Sequence, residues 1–598
     1  MSRTTNPLPS NALLFDNPFT FISRNPVTLV ELRMRKFSGM IRSKPNWWEK
    51  VQDPQLIEKW RKEMVEQDRE AVERLWGGEE RFKHGRGTKQ WPRDPITDAQ
   101  LDYIFDQLQY DAARRDPETG IFAMSIPKVY ESRSLIPMHL KSALLVGVHA
   151  LESIPDEEKD WHPGSNQQVL DLVHPSLYCL RLDQSLVRSA NSTGAESLHV
   201  LTFEEYKSRR PDLSQILQHH PFFISSKYQW LPTDFAVAED GKASPLGYIN
   251  NLHPLRNHEL YSTISDVLSR FVPLFERVLS DMLNPDPPPA ISVNPYDWYE
   301  HLEEPDWDEV REAQLDEDTD SEAEDNAQKS EWEDPEEVWE RTVKWPLIPE
   351  PAPFSPPQHT DTNDRIEFSL HGRTLQVIVK LATIVLTPGS RARYPGGAWH
   401  VEGMANEGIV ATGLYYYACA NITESRLAFR ATVGRRDASD MAYQHHDVQG
   451  FYAAYGFARY DALSQGLGHV VAEEGKCIAF PNVYQHRVEP FELADPSKPG
   501  YRKILCFFLA DPLARIVSTT DVPPQQEDWM VEEVLGAPAI RALPAELSDM
   551  IVYLAKAEAT IGRKEAERDR EELMRERGNF VAKHNETVFE VEFRMCEH

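Results

Sequence analysis

Four side chains in the second half of the chain have the types and spacing to do chemistry together. His400 and Glu402 stand two residues apart at the end of Tyr394-Pro-Gly-Gly-Ala-Trp-His-Val-Glu. Alternation along a strand puts residues i and i+2 on one face, so an imidazole and a carboxylate can converge on one ion. His486, just past the turn Phe480-Pro481-Asn482, offers a third ligand. Two histidines and one carboxylate occupy one face of an octahedral Fe(II) and leave three positions for reactants. Arg502 opens an alternating strand with Ile504, Cys506 and Phe508 on its side. A buried guanidinium facing inward needs an anion, and its planar fork suits a carboxylate held bidentately.

Other residues compete for these roles. His359-Thr-Asp361 is a second closely spaced pair, but it stands in a Pro/Thr/Asp-rich connector that would fix ligand geometry poorly. His445 and His446 could replace His486, although paired histidines on a polar loop are more often surface. Lys503 is a rival anchor that should face away from Arg502.

The elements that must position these residues are strands. Thr374-Leu-Gln-Val-Ile-Val-Lys-Leu-Ala-Thr-Ile-Val-Leu-Thr is β-branched and closed by Pro388-Gly389, and further strands start at Ile409, Leu427, Lys476 and Arg502. Many consecutive strands with turn signals and almost no helix between them predict an all-β barrel or double-sheet roll. Pro395-Gly396-Gly397 reads as a turn that lets backbone come close to the site.

Two segments carry a resemblance. Gly475-Lys-Cys-Ile-Ala-Phe-Pro-Asn-Val-Tyr-Gln-His-Arg-Val-Glu-Pro, followed by Gly500-Tyr-Arg-Lys-Ile-Leu-Cys-Phe-Phe-Leu, resembles the second-half signature of the prolyl-hydroxylase-like 2-oxoglutarate/Fe(II) dioxygenases. The chain as a whole also looks like a mainly fungal family of large proteins of unassigned function, marked by Tyr-Pro-Gly-Gly-x-Trp-His-x-Glu-Gly-Met. The oxygenase resemblance covers residues 370 to 515 or so. It implies a double-stranded β-helix (jelly-roll, cupin-like) core, with His400, Glu402 and His486 as iron ligands, Arg502 gripping 2-oxoglutarate, and Tyr394 near the cosubstrate carboxylate. The implied activity is hydroxylation, or demethylation through hydroxylation, of an unidentified small molecule or protein, with 2-oxoglutarate decarboxylated to succinate. Two features depart from the pattern: Glu402 stands where most of the superfamily has Asp, and the interval before His486 is long. A cupin-type metalloenzyme without cosubstrate, or a non-catalytic interaction protein on a degenerate barrel, stays open beside this reading.

At 598 residues the chain exceeds one ordinary core, and the expected class is α+β. The expected divisions are a mainly helical region over 1–165, strands plus a long helix buttressing the barrel over 166–290, an acidic disordered insertion and Pro-rich connector over 291–357, the barrel over 358–520, and a helical appendage over 521–598. Within the first, helices are predicted from Asp53-Pro54 to Trp76, from Thr97, and from Met138 to Ser153. A long helix is expected from Glu259 to Leu283, with Pro273 inside it.

Lys plus Arg number 64 against 95 Asp plus Glu, a net charge of −31 that speaks against a general nucleic-acid or anionic-membrane binder. Residues 303–340 hold 19 of the acids against Arg311 and Lys329, so much of the imbalance is local. That strip reads as a solvated loop, or as a docking strip for a basic partner in which Ser321 would suit an acidophilic kinase. No apolar run is long enough to span a bilayer, and the first residues lack a signal-peptide layout. The expectation is an intracellular protein whose five scattered cysteines are reduced.

Overall fold

A computed structural model describes residues 15–76, 91–190, 196–214, 216, 220–312, 334–356, 365–434, 447–458 and 460–592. His359, Asp361, His445, His446, Cys596 and the acidic run 316–325 lie outside the described residues. The other four cysteines form no disulfide.

The N-terminal third folds into helices α1 (Leu29–Arg42), α2 (Pro54–Trp76), α3 (Asp98–Ala113) and α4 (Met138–Glu152). The caps explain the boundaries. Asp53 Oδ1 accepts from the Gln55 amide at 2.9 Å and Thr97 Oγ1 from the Gln100 amide at 3.3 Å, each satisfying a donor left over at a helix start. The sequence analysis missed α1, whose Val30, Met34, Phe37 and Ile41 join Trp60, Met64, Leu101 and Leu108 in one apolar cluster. Inside it Arg33 is paired with Asp68 at 2.9 Å, and both side chains are buried.

Fourteen strands build the part that matters for the site. They are β1 (Phe122–Ala123), β2 (Tyr130–Ser132), β3 (Val169–Val173), β4 (Thr233–Val237), β5 (Ala243–Pro245), β6 (Thr374–Leu386), β7 (Arg393–Tyr394), β8 (Ile409–Ala420), β9 (Ser425–Thr432), β10 (Ser464–Ala472), β11 (Cys477–Pro481), β12 (Gln485–Val488), β13 (Phe491–Glu492) and β14 (Gly500–Ala510). A nine-stranded antiparallel sheet runs β1-β2-β11-β8-β14-β6-β4-β5, with β3 also paired to β6. A three-stranded sheet, β10-β9-β12, and the ribbon β7-β13 lie apart from it in hydrogen bonding.

Period-two alternation sorts the large sheet's side chains into two cores. Val377, Val379, Leu381, Tyr415, Leu505, Phe507 and Leu509 pack against helix α5 (His258–Met282), which buries Ile264, Leu268, Phe271, Phe275 and Leu279. Ile378, Leu414, Tyr416, Cys506 and Phe508 face the other way, onto Leu427, Phe429 and Val470 of the small sheet. At Gly413 a side chain would come within 2.9 Å of both Phe271 and Phe275, so glycine is what lets α5 lie against β8.

The strands do not close into the expected barrel, and the fold is a mixed α/β one with separate antiparallel sheets. The reason lies at the edges: β6 pairs outward with β3 and β4, and β11 with β2, so strands from the first half of the chain occupy both positions where closure would occur.

Nor is the C-terminal helix Arg563–His584 a solvent-exposed appendage. Ala566, Leu573 and Phe580 recur every seven residues as a narrow buried stripe. Arg570 reaches Asp160 at 2.7 Å, and Arg577 reaches the fully buried Glu407 at 2.7 Å while lying 3.6 Å over the Trp230 ring. The acidic segment is also more ordered at its end than expected, because Asp334 caps a short helix, Pro335–Thr342. No helix of the described residues is long and apolar enough to cross a membrane.

Candidate metal centre

His400 and His486 are brought together by backbone. His400 N–H donates to the His486 carbonyl at 3.2 Å and His486 N–H to the His400 carbonyl at 3.0 Å, an antiparallel bridge whose paired side chains share a face. The imidazole centroids are 4.5 Å apart. Gly396 makes this approach feasible: its φ of +94° is left-handed, and a Cβ there would meet the Val488 carbonyl at 3.0 Å. The next amide, of Gly397, donates to that same carbonyl at 2.9 Å.

Glu402 lies between the rings, with Oε1 3.3 Å from His486 Nε2 and 3.8 Å from His400 Nε2. One donor atom from each of the three falls within 4.8 Å of the others. His400 Nδ1 donates to the Ala398 carbonyl at 2.9 Å, which leaves the Nε2 lone pair aimed at the cluster. His486 also packs against Phe429, its partner on β9, and against Phe480 of β11.

The electrostatics suit a cation. Burial works to raise the Glu402 pKa, but bonds to His400 and His486 outweigh it and hold the carboxyl well below its usual range. Burial, and then the neighbouring His400 charge, push the His486 pKa down, so this imidazole is neutral. Burial also opposes charge on His400, yet Glu402 wins and raises its pKa. A divalent ion would replace that proton as the counter-charge to Glu402. Two imidazole nitrogens with a carboxylate therefore fit a 2-His-1-carboxylate metal.

Arg502 stands on β14 facing the interior, as its alternation predicts. It is 2% exposed, donates from Nη1 to Ser425 Oγ at 2.6 Å, and lies 5.4 Å from the Phe491 ring and 5.6 Å from the Tyr416 ring. No described carboxylate pairs with it, and its Nε is buried without a partner. Lys503 points to the opposite face and is held by Glu152 at 2.6 Å, which removes it as an anchor. Tyr394 is half-buried with its ring 5.4 Å from Phe491. Burial raises its phenol pKa, against the pull of Arg502 and then Lys380.

Sequence reasoning missed three parts of this region. Asn482 is one; it ties Glu402 to the end of β8. The second is Lys380, whose signal was a lone charge inside the apolar run of β6. The third is a cluster beside β3. There His162 Nδ1 lies 2.8 Å from the buried Asp171, and His174 Nε2 lies 4.0 Å from the same carboxylate. The Ser176 amide donates into His174 Nδ1 at 3.2 Å, so the neutral ring carries its proton on Nε2, facing Asp171. That tautomer suits proton sharing better than metal ligation.

The family described as "Protein of unknown function (DUF4246)" matches residues 98–533, and its N-terminal domain matches residues 4–63. No curated protein matches the chain. Among solved structures, short stretches are similar to "IDO from Bacillus thuringiensis", at 11% identity over 23% of this chain and 47% of that one, with a TM-score of 0.14. An "Fe(II)/(alpha)ketoglutarate-dependent dioxygenase TqaL" is similar at 10% identity over 26% of this chain and 46% of that one, with a TM-score of 0.15. The chain spans less than half the length of either, and similarities this slight bear on neither the fold nor the site.

Proposed function

The chain belongs to the DUF4246 family, and from that premise we propose that it is an Fe(II)- and 2-oxoglutarate-dependent oxygenase. The observation that carries the proposal is the convergence of His400, Glu402 and His486, together with the buried Arg502 guanidinium, which has no described carboxylate partner. The two facing sheets are read as a double-stranded β-helix whose edges have been extended by N-terminal strands.

In this reading His400 Nε2, Glu402 and His486 Nε2 hold the iron. Arg502, oriented by Ser425 and flanked by Tyr416 and Phe491, takes the distal carboxylate of 2-oxoglutarate, with Tyr394 near the same end. The bound pair would supply oxidative attack on a substrate C–H bond, with 2-oxoglutarate converted to succinate and carbon dioxide. The chain's own part is to position the reactants and to exclude water, which the apolar walls from Ile378, Leu414, Phe429 and Phe508 provide. The product is a hydroxylated, or by that route demethylated, small molecule or protein.

Anaerobic titration of the Fe(II)-loaded protein with 2-oxoglutarate should produce a visible charge-transfer band, and admitting oxygen should release succinate. His400→Ala and Glu402→Ala should lose both. A wild-type protein that binds Fe(II) but shows no band would favour a cupin-type enzyme without cosubstrate, and one that binds no metal would end the reading.

A further inference from the structure

The large sheet places a second cation on the same interior face as Arg502. In β6, Ile378 and Ile384 face the interior, whereas Val377, Val379 and Leu381 pack toward α5, so alternation assigns Lys380 to the interior side. Register pairs Lys380 with Cys506 and Ile384 with Arg502. The two cations therefore stand on adjacent strands, four residues apart along them, or roughly 13 Å at 3.3 Å per residue.

Lys380 is unusual for its setting. Val379 and Leu381 are buried, whereas Lys380 between them is only partly so. It makes no hydrogen bond and no ion pair with any described residue. Of the nearest carboxylates, Glu402 is shared by the two imidazoles, and Asp171 meets His162 through Oδ2 while its Oδ1 makes no hydrogen bond. Burial opposes its charge, but Asp171 and then Glu402 more than compensate and keep the ammonium charged. A charged ammonium with accessible surface and no hydrogen-bonding acceptor in the protein is free to receive an anion from outside.

The two cations also divide the site between them. Asn482 bonds both the Glu402 and the Ile409 carbonyls, and Ile409 pairs with Ala510 at the end of β14 opposite Arg502, so Lys380, paired with Cys506, stands on the metal side of Arg502. Arg502 is held among Ser425, Tyr416 and Phe491, away from the trio. A dicarboxylate with one end on the metal would present one carboxylate to each.

Resting on the oxygenase reading above, we propose that Lys380 is a second cosubstrate contact, receiving the carboxylate at the 2-oxo acid end while Arg502 receives the distal one. Lys380 thereby helps to set which anion the site accepts, and it neutralises charge that a metal alone would leave in an enclosed space.

The test is anaerobic binding to the Fe(II)-loaded full-length protein, with 2-oxoglutarate and 2-oxobutanoate, which lacks the distal carboxylate, as probes. Lys380→Met should weaken both probes by a similar factor of ten or more, with Fe(II) affinity unchanged. Arg502→Met should weaken 2-oxoglutarate alone. Lys380→Arg, which keeps the charge, should recover most of the affinity and guards against a variant that merely misfolds. Unchanged 2-oxoglutarate binding in Lys380→Met overturns the proposal, and so does loss of 2-oxoglutarate alone, which would put Lys380 at the distal end. Failure of wild-type protein to bind 2-oxoglutarate would instead count against the oxygenase reading itself.

Discussion

Asn482 grips the backbone of Glu402 from both sides. Its Oδ1 accepts from the Glu402 amide at 2.9 Å, and its Nδ2 donates to the Glu402 carbonyl at 2.9 Å and to the Ile409 carbonyl at 3.0 Å. Asn482 is fully buried, so these bonds face no competition from water. The clamp fixes the height of Glu402 relative to β12, where His486 arises. Asn482→Ala should lower Fe(II) affinity by roughly 10- to 100-fold, the range for residues that orient metal ligands. Asn482→Asp keeps the acceptor but loses the donors and should fall between. Calorimetric Fe(II) titration, with circular dichroism to confirm folding, would check this; wild-type affinity in the Ala variant would show that the clamp is dispensable.

Arg502→Lys tests the fork rather than the charge. Lysine keeps the cation but cannot hold Ser425 Oγ and a carboxylate in one plane, and it loses stacking between Tyr416 and Phe491. Cutting one partner from a buried charged contact costs about 2–5 kcal/mol. The 2-oxoglutarate dissociation constant should therefore rise at least about 30-fold while Fe(II) binding holds. Equal binding by the Lys variant would mean that the guanidinium geometry is not used.

The convergence of the candidate residues was legible because it depends on short periods and fixed spacings. His400 and Glu402 were found by the i, i+2 rule, Arg502 by alternation with Cys506 and Phe508, and the close turn by Pro395-Gly396-Gly397. What escaped was set by contacts distant in sequence. Asn482 looked like a turn residue, because nothing local says that its amide will meet Glu402. Lys380 was the lone charge in a run read only for its strand character. The expected barrel failed for the same reason: each strand of 374–510 was visible, but pairing of β3 with β6 and of β2 with β11 joins segments that no local pattern connects. The helix Arg563–His584 seemed solvated because three small or apolar residues seven apart are a faint stripe amid its charges.

Gly413 marks where α5 meets the sheet. Gly413→Ala would drive a methyl group against Phe271 and Phe275 at under 3 Å. Two well-packed rings can yield only by leaving their rotamers or moving the helix, and such overpacking costs about 1–3 kcal/mol. The urea midpoint should fall accordingly. Pairing the change with Phe271→Leu, which makes room, should give back part of the loss; a simple sum of two destabilisations would argue against a clash.

His584 should make stability depend on pH. Its ring is 1% exposed and stacks on Phe580 at 5.2 Å, with Phe223 and Phe589 edge-on at 5.3 and 5.2 Å. It also lies 2.5 Å from the Pro18 carbonyl, to which Nε2–H donates. Burial lowers its pKa to about 4, only partly offset by the Pro18 bond. Near pH 6 the unfolded chain takes up a proton that the folded chain refuses. Stability from this group is thus fully present above about pH 6.5 and is lost as pH falls toward 4, by about 3 kcal/mol over the whole interval. The same apolar cluster includes Val401, Met404 and Ala405, so its loosening reaches the segment that carries Glu402. Urea midpoints measured from pH 7.5 to 4.5 should fall more steeply for the wild type than for His584→Phe, which cannot titrate. If the two curves stay parallel across that range, His584 is not the group that couples acid to unfolding.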